Sequence, residues 1–279
     1  MNILTFDIEE WFHCDFISKD YNWSNYEVRI HNSTDFILNV LTLYNRKATF
    51  FILGWVADKY PEIIKKIHNQ GHEIGCHSMQ HELVHRLTPN EFRKDTRIAL
   101  DTIENIIGEK VVMYRAPAFS ITKDTPWAFE ILNELGITHD SSVFPAKHDY
   151  GGFPNFRNLE PSLIETNGIL IKEFPINTLK IFNQSIVFSG GGFFRLFPYY
   201  LIKKWATDSN YVMSYFHPRD FDKDQPVLQH LPPMRKFKSY YGLKGSGAKF
   251  DRYISDFKTS SMLDASKKCD WTKANKIII

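Results

Sequence analysis

The sequence predicts an α/β fold in which parallel strands alternate with helices to form a distorted (β/α) barrel. Short apolar segments that are typical of strands alternate with helix signals along most of the chain. Polar side chains capable of catalysis lie at the ends of several of these strands, as they do in barrel enzymes. The length of 279 residues is within the range of one such barrel.

The predicted strands are short and rich in branched or aromatic residues, which favour extended structure. In chain order they cover residues 3–7, 48–53, 72–76, 111–114, 137–140, 169–175 and 211–217. The strongest helix signal is Thr88-Pro89-Asn90-Glu91, where Thr88 is the predicted N-cap and Glu91 completes a capping box. That helix is predicted to reach about residue 107. The other predicted helices are one capped by Ser33, one that buries apolar residues from Val56 to Ile67 and stops at Gly71, one that begins at Thr125-Pro126 and ends at Gly136, and one over residues 198–207.

The remaining segments carry weaker signals. Residues 8–30 are predicted to be irregular, and residues 141–168, with many Gly, Pro and Asn residues, are predicted to form a loop. The glycine run at 190–192 lacks the pattern of a phosphate-binding loop and predicts a tight loop at the rim of a pocket. Periodicity weakens after about residue 225. We therefore predict a barrel over residues 1–225 and a C-terminal extension over residues 226–279 that packs on it.

Composition excludes several classes of protein. The chain has 34 Lys and Arg residues against 32 Asp and Glu residues, so the formal net charge is +2 and nothing favours nucleic acid as a partner. Three cysteines without a CxxC motif indicate reduced thiols. The N-terminus shows no signal peptide, and the longest apolar run is too short to span a bilayer. We therefore predict a cytoplasmic protein with no integral membrane segment, and no oligomeric state is predicted.

Five polar residues occupy equivalent positions in the strand pattern. Asp7, Asp140 and His217 end predicted strands, while His77 and Arg115 follow predicted strands directly. In a barrel of parallel strands all the C-terminal strand ends open onto one face. These side chains are therefore predicted to converge, and this shared placement carries more weight than any single motif.

The segment His77-Ser78-Met79-Gln80-His81 predicts a metal site. Two histidines four residues apart lie on the same face of a helical turn, where both imidazoles can reach one cation. Such a pair alone is more often a surface feature, but here it follows a strand and accompanies an acidic cluster. Imidazole nitrogen suits borderline divalent metals, so one zinc ion is the first choice, with cobalt, nickel or manganese as alternatives.

The acidic cluster is Asp7-Ile8-Glu9-Glu10. A metal hydrolase needs an anionic ligand and a base that removes a proton from water. Alternate residues of an extended segment point to the same side, so Asp7 is the predicted base and Glu9 the predicted metal ligand. Glu10 remains the alternative ligand if the chain turns sharply after Asp7.

These residues resemble the ordered motifs of the NodB-like polysaccharide deacetylases, which have a distorted (β/α) barrel fold. The resemblance covers roughly residues 1–225 and is nearest to a subgroup with a D-x-E first motif, seen among bacterial capsule, exopolysaccharide and O-antigen gene products. The segments that carry it are TFDIEEW at 5–11, GHEIGC at 71–76, HSMQH at 77–81, RAPAF at 115–119, DSSVFP at 140–145, GGGFFRLFP at 190–198 and YFHP at 215–218.

The resemblance implies a role for each site residue. Asp7 would be the general base, held by Arg115, while Glu9 and the two histidines would bind the metal. His217 would be the general acid that protonates the departing amine, and Asp140 would raise its pKa. A backbone N–H near residue 119 would stabilise the oxyanion.

The expected function is metal-dependent hydrolysis of the N-acetyl group of an N-acetylated sugar in surface polysaccharide biosynthesis. The sugar could still be attached to a nucleotide or a lipid carrier. Two alternatives stay open. The same machinery could act on an N-formyl sugar or a cyclic amide, or the barrel could bind carbohydrate without catalysing any reaction.

Overall fold

The computed structural model describes residues 1–14, 22–146, 150–154, 156, 158–181 and 184–279. Parts of the segments predicted to be irregular, namely residues 15–21, 147–149, 155 and 157, lie outside the described residues. Among the described residues, no helix combines the length and the apolar character that crossing a membrane requires.

The described residues contain strands and helices that alternate along the first two thirds of the chain. The strands are β1 (Asn2–Ile8), β2 (Thr49–Ile52), β3 (Glu73–Cys76), β4 (Met113–Tyr114), β5 (His139–Asp140), β6 (Ser162–Thr166), β7 (Ile169–Glu173), β8 (Leu179–Ile181), β9 (Gln184–Ile186), β10 (Val212–Phe216) and β11 (Lys276–Ile278). The helices are α1 (Ile30–Leu43), α2 (Gly54–Lys59), α3 (Pro61–Asn69), α4 (Pro89–Ile107), α5 (Trp127–Glu134), α6 (Gly191–Leu196), α7 (Tyr199–Asp208), α8 (Pro233–Tyr240), α9 (Leu243–Asp256) and α10 (Met262–Ser266).

The main sheet has the strand order β10-β1-β2-β3-β4-β5-β7-β6-β11. Its pairings from β10 to β7 are all parallel, and β6 pairs antiparallel with β7. Within the described residues no pairing joins β10 to β11, so strand pairing does not close the sheet into a complete barrel. The predicted α/β class, a distorted barrel, is confirmed.

Local sequence explains the best-predicted elements. Strand β1 is buried from Ile3 to Ile8 because it lies between two parallel neighbours with helices covering the sheet. Helix α4 begins with the predicted capping box, in which the Thr88 N–H donates to Glu91 Oε2 at 2.8 Å and the Glu91 N–H donates to Thr88 Oγ1 at 3.3 Å. It ends at Gly108, which has the left-handed conformation with φ of 74°.

Two helix predictions are corrected. Helix α1 begins at Ile30 and not after Ser33, because the Glu10 carboxylate accepts the N–H groups of Arg29 and Ile30 at 2.6 and 2.8 Å. The predicted helix that stops at Gly71 is two helices, α2 and α3. They meet at Tyr60, because the following Pro61 disfavours a helical conformation in the residue before it.

Two predicted loops contain regular structure. Strand β6 lies within the predicted loop 141–168 and forms a hairpin with β7 through Asn167-Gly168, both at positive φ. Asn-Gly between two apolar runs is a known hairpin signal that the composition of the loop obscured. The glycine run leads into helix α6, which begins at Gly191.

The C-terminal residues pack on the barrel and also extend its sheet. The ring of Phe250 in α9 lies 5.4 Å from Phe216 of β10, between ring centroids. Strand β11 pairs in parallel with β6. The Glu73 carboxylate accepts the Ser261 hydroxyl at 2.6 Å and the Leu263 N–H at 3.0 Å, so α10 is held at the start of β3, away from the C-terminal strand ends. The boundary at residue 225 stays a prediction.

Candidate metal centre and active site

Glu9, His77 and His81 lie together at the C-terminal ends of β1 and β3. One potential ligand atom from each residue lies within 4.8 Å of the others, and all three side chains are buried. His81 Nε2 is 2.6 Å from Glu9 Oε2, and His77 Nε2 is 3.9 Å from the same oxygen. Two imidazoles and one carboxylate fit a catalytic zinc site, which uses three protein ligands and keeps one position open.

A hydrogen bond fixes the orientation of the His77 ring. Its Nδ1 lies 2.7 Å from the carbonyl oxygen of Arg115, which can only accept, so Nδ1 carries the proton. The lone pair of Nε2 is therefore left facing Glu9. Metal-binding histidines in proteins are commonly held by a hydrogen bond of this kind.

The two histidines converge through a loop and not through the predicted helical turn. Ser78 and His81 both have positive φ, at 66° and 55°. The Ser78 hydroxyl accepts the His81 N–H at 3.0 Å, and the Asp95 carboxylate accepts the N–H groups of Met79 and Gln80 at 2.8 and 3.2 Å. Side-chain acceptors on the loop and on α4 thus replace the hydrogen bonds of a helix.

The electrostatics of the cluster suit a cation. Burial alone would raise the pKa of Glu9, but His81, His217 and His77 outweigh it and lower the pKa, so Glu9 stays ionised. Burial lowers the pKa of His77 to about 4. Its imidazole is therefore neutral near pH 7, which is the form that binds metals.

Asp7 forms a buried ion pair with Arg115 beside this cluster. Arg115 Nη1 lies 2.8 Å from Asp7 Oδ1 and 2.7 Å from the Thr5 hydroxyl. Its other nitrogens donate to the Ser141 hydroxyl and carbonyl at 2.9 and 3.2 Å, and its guanidinium lies 4.3 Å from the centre of the Phe51 ring. Arg115 is thus held by contacts with β1, β2 and the loop after β5, and it immobilises one oxygen of Asp7.

His217 follows β10 and faces both acids. Its Nε2 lies 3.8 Å from Asp7 Oδ2 and 3.8 Å from Glu9 Oε1, while its Nδ1 lies 3.2 Å from Asp220 Oδ2. Burial would lower the pKa of His217, but the hydrogen bond with Asp220 and the charges of Glu9, Asp220 and Asp7 raise it to about 9. The imidazole is therefore protonated near neutral pH.

The predicted partnership of Asp140 with His217 is wrong. Asp140 accepts hydrogen bonds at 2.8 Å from both the N–H and the hydroxyl of Ser142, so its carboxylate is turned towards its own loop. It also lies beside Glu173, and burial raises the pKa of both carboxyl groups. Both carboxyl groups are therefore harder to ionise, and the carboxylate of Asp140 faces Ser142 and not His217.

Asp220 is the partner of His217, and the sequence analysis did not predict it. A 3₁₀ turn over Pro218–Phe221 brings its carboxylate back to the His217 N–H at 3.0 Å as well as to the ring. Arg195 Nε lies 3.3 Å from the other oxygen, and together with His217 it lowers the pKa of Asp220 to about 2 against the effect of burial. Pro218 directly after His217, with an acid at the third position of the turn, is a capping signal that was available in the sequence.

Two further predicted contributors have other roles. Glu10, the alternative ligand, accepts backbone N–H groups at the start of α1 and does not belong to the cluster. The Phe119 N–H donates to the Ala116 carbonyl at 3.0 Å, and the Ser120 N–H donates to the Pro117 carbonyl at 3.1 Å. Neither of these two N–H groups is available to an oxyanion.

Fold and site define an α/β barrel with a candidate metal centre and a carboxylate–arginine pair at the C-terminal ends of its strands. Residues 3–139 match the polysaccharide deacetylase family model, and residues 141–267 match a domain of unknown function, DUF3473. Through residues 3–139 the chain belongs to the polysaccharide deacetylase family.

Similar proteins carry related descriptions. A peptidoglycan-N-acetylglucosamine deacetylase of Bacillus cereus is 35% identical over 95 residues, which are 34% of this chain and 34% of that protein. The peptidoglycan-N-acetylmuramic acid deacetylase PdaC of Bacillus subtilis is 38% identical over 85 residues, which are 30% of this chain and 18% of that protein. The chain thus spans about a third or less of the length of these relatives.

The fold extends over a larger region than these sequence matches. The crystal structure of a candidate polysaccharide deacetylase from Mycobacterium smegmatis superposes with a TM-score of 0.66 at 18% identity. The alignment covers 99% of this chain and 92% of that one. The two proteins therefore share a fold over nearly their whole lengths.

Proposed function

We propose that the protein is a metal-dependent hydrolase that removes the acetyl group from N-acetylated sugars. The observation that carries this proposal is the arrangement of Glu9, His77 and His81 beside Asp7 and His217. A three-residue metal site, a fixed carboxylate and a protonated imidazole face one space. Hydrolysis of an amide needs these same three components.

Glu9, His77 and His81 would hold the metal, with zinc as the first choice and cobalt, nickel or manganese as alternatives. When bound, the ion would polarise the amide carbonyl and make water easier to deprotonate. Asp7 accepts the proton of the attacking water at Oδ2, because Arg115 occupies its Oδ1. The ion pair also keeps Asp7 from rotating away from the metal site.

His217 is the proposed general acid. The nitrogen of the sugar must take up a proton before it can leave as an amine, and His217 Nε2 is positioned to donate it. The Nε2 atom lies 3.8 Å from Asp7 Oδ2, so acid and base are close enough to act on the same amide. Asp220 keeps the imidazole protonated and fixes its ring through Nδ1.

Membership of the polysaccharide deacetylase family and the descriptions of the matching relatives support an N-acetylated aminosugar as substrate. A role in surface polysaccharide biosynthesis, a cytoplasmic location and a carrier on the sugar are further parts of the proposal. Fractionation of cells that produce the tagged full-length protein tests the location.

Product analysis tests the reaction. The purified protein, loaded in turn with Zn²⁺, Co²⁺, Ni²⁺ and Mn²⁺, is incubated with a panel of N-acetyl, N-formyl and cyclic-amide sugars. We expect acetate from N-acetylated sugars and none from protein treated with a chelator. Formate or ring opening as the sole product would favour the alternative amides. Sugar binding without any product would favour a carbohydrate-binding barrel and overturn the proposal.

A further inference from the structure

An apolar groove lies between α6 and α8, outside the metal site. It encloses about 450 Å³. Its apolar lining comes from α6, from the end of β10, from α8 and from Tyr241, which directly follows α8. These side chains are Phe193, Leu196, Tyr215, Met234, Phe237 and Tyr241.

The lining side chains are unusually exposed for residues of their type. Met234 is 66% exposed, Tyr241 48%, Phe237 46% and Phe193 40%. Single exposed apolar residues are common on protein surfaces, but a contiguous concave patch usually marks a binding site. The volume of the groove is within the range of pockets that bind small molecules.

Tyr215 lines the groove and also neighbours the candidate active site. The Tyr215 ring centroid lies 6.0 Å from that of His217 and 5.1 Å from that of Phe119. The glycine run explains how α6 can lie so close to this residue. A Cβ on Gly190 would be 2.1 Å from the Tyr215 carbonyl oxygen, so only glycine permits the contact. The groove and His217 are therefore separated by little more than the Tyr215 ring.

Hydrogen bonds behind the groove hold its two walls together. Arg195, in α6, donates from Nη1 to the Ser239 carbonyl at 2.9 Å and from Nη2 to the Lys238 carbonyl at 3.1 Å. Lys249, in α9, donates to the Arg195 carbonyl at 2.9 Å. Because these hydrogen bonds join the two walls without a ligand, the groove is formed before any ligand binds.

We propose that this groove binds the hydrocarbon chain of a lipid-linked sugar, with Lys238 beside the phosphate that joins the chain to the sugar. The proposal rests on the proposed function, whose substrate class it narrows. Lys238 is the only charged side chain among the described residues that line the groove. A phosphate complements this cation, and the six apolar side chains complement a hydrocarbon.

A free polysaccharide fits this surface poorly. Its hydroxyl groups would lose hydrogen bonds to water, and the lining side chains other than Tyr215, Tyr241 and Lys238 have no polar atoms with which to replace them. A hydrocarbon chain loses nothing on leaving water and gains contact with the aromatic and thioether groups. The sugar at the other end of the chain would then lie beside His217.

Direct binding tests the inference without turnover. Binding of farnesyl monophosphate, farnesol and inorganic phosphate to the full-length protein is measured by titration calorimetry, with the lipids below their micelle-forming concentrations. We expect farnesyl monophosphate to bind saturably and inorganic phosphate to bind at least 100-fold more weakly. Phe237→Glu should lower the affinity for farnesyl monophosphate at least tenfold. Leu43→Glu, at an exposed position outside the groove, should change this affinity less than twofold.

A second pair of variants tests the cation. Lys238→Met should lower the affinity for farnesyl monophosphate at least fivefold and leave the affinity for farnesol within twofold of the wild type. Lys244→Met, outside the groove lining, should change neither affinity. Thermal melting shows whether each variant is folded. Absence of saturable binding, equal binding of inorganic phosphate, or an equal loss in Leu43→Glu would overturn the proposal. The proposal would also be overturned if sedimentation showed a wild-type dimer that Phe237→Glu dissociates, because a second copy would then fill the groove.

Failure of the groove proposal can be distinguished from failure of the proposed function. Hydrolysis of soluble N-acetylated sugars by a protein that does not bind farnesyl monophosphate would overturn the groove proposal alone. Groove-dependent binding of farnesyl monophosphate by a protein that hydrolyses no amide would support the groove as a prenyl-phosphate site and overturn the proposed reaction.

Discussion

His217 Nδ1 lies 3.2 Å from the carboxylate of Asp220, three residues further along the chain. The short turn between them makes this pairing local, whereas Asp140 comes from a different strand and is bonded elsewhere. The contact has a direct consequence for the pH dependence of the proposed reaction. It places the negative charge that raises the pKa of the general acid on the same turn as the acid itself.

Asp220→Asn should move the alkaline limb of the activity profile to lower pH. His217 acts as an acid only while protonated, so activity is lost as pH rises through its pKa, which is raised to about 9. Removing the charge of Asp220 lowers that pKa. Profiles of kcat against pH for the wild type and Asp220→Asn measure the shift. Asp224→Asn, at an exposed acid near the turn, is the control, and identical alkaline limbs in the wild type and Asp220→Asn would contradict the pairing.

His77→Ala and His81→Ala should each lower zinc affinity by more than about 100-fold, because loss of an outer hydrogen bond alone costs about 10–100-fold. Metal content after dialysis, measured by mass spectrometry, and titration with a chromophoric chelator report the change. His68→Ala is the matched control, since His68 lies on α3 and pairs with Glu109. A double variant that keeps one zinc per chain would exclude this centre.

Asp7→Asn should keep the metal and lose about 10²–10⁴ in kcat, which is the usual contribution of a general base. The amide retains the shape of the carboxylate and can still accept a hydrogen bond from Arg115, but it cannot take up a proton at neutral pH. Metal analysis and single-turnover kinetics on the same preparation separate the two effects. Turnover within threefold of the wild type would remove Asp7 from the mechanism.

Arg115→Met should destabilise the protein by about 3–5 kcal/mol, because it leaves Asp7 charged and buried without its partner. The free energy of unfolding in urea measures this loss. The double variant Asp7→Asn with Arg115→Met should recover part of it, since no unpaired charge then remains. A loss below about 1 kcal/mol in the single variant would mean that water or another group replaces the guanidinium.

Variants of Glu9 and Glu10 should affect different measurements, metal content for Glu9 and the free energy of unfolding for Glu10. Glu10→Ala should lower the free energy of unfolding by about 0.5–2 kcal/mol, the range for loss of a helix N-cap, and leave metal content unchanged. Glu9→Gln should do the reverse: it should lose metal with little effect on stability of the metal-free protein. Loss of metal in Glu10→Ala without loss in Glu9→Gln would reverse the assignment.

Much of the fold follows from the sequence because the relevant signals are local. The capping box of Thr88 and Glu91 is contained in four residues, and apolar periodicity marks the central strands. The Asn-Gly turn of hairpin β6–β7 is equally local, but the Gly, Pro and Asn residues that precede β6 are typical of a loop and mask the strand. The strand-end placement of Asp7, His77 and Arg115 also needed only the order of the strands.

The sequence by itself thus determined the α/β class, the family motifs and the strand-end placement of Asp7, His77 and Arg115. Only the tertiary structure decided the partner of each side chain. Glu10 caps a helix that begins 20 residues later, and the loop of His77 and His81 is shaped by Asp95 on α4. The reason is physical: a strand's position follows from periodicity, but a hydrogen bond depends on ångström-scale backbone paths of segments distant in sequence.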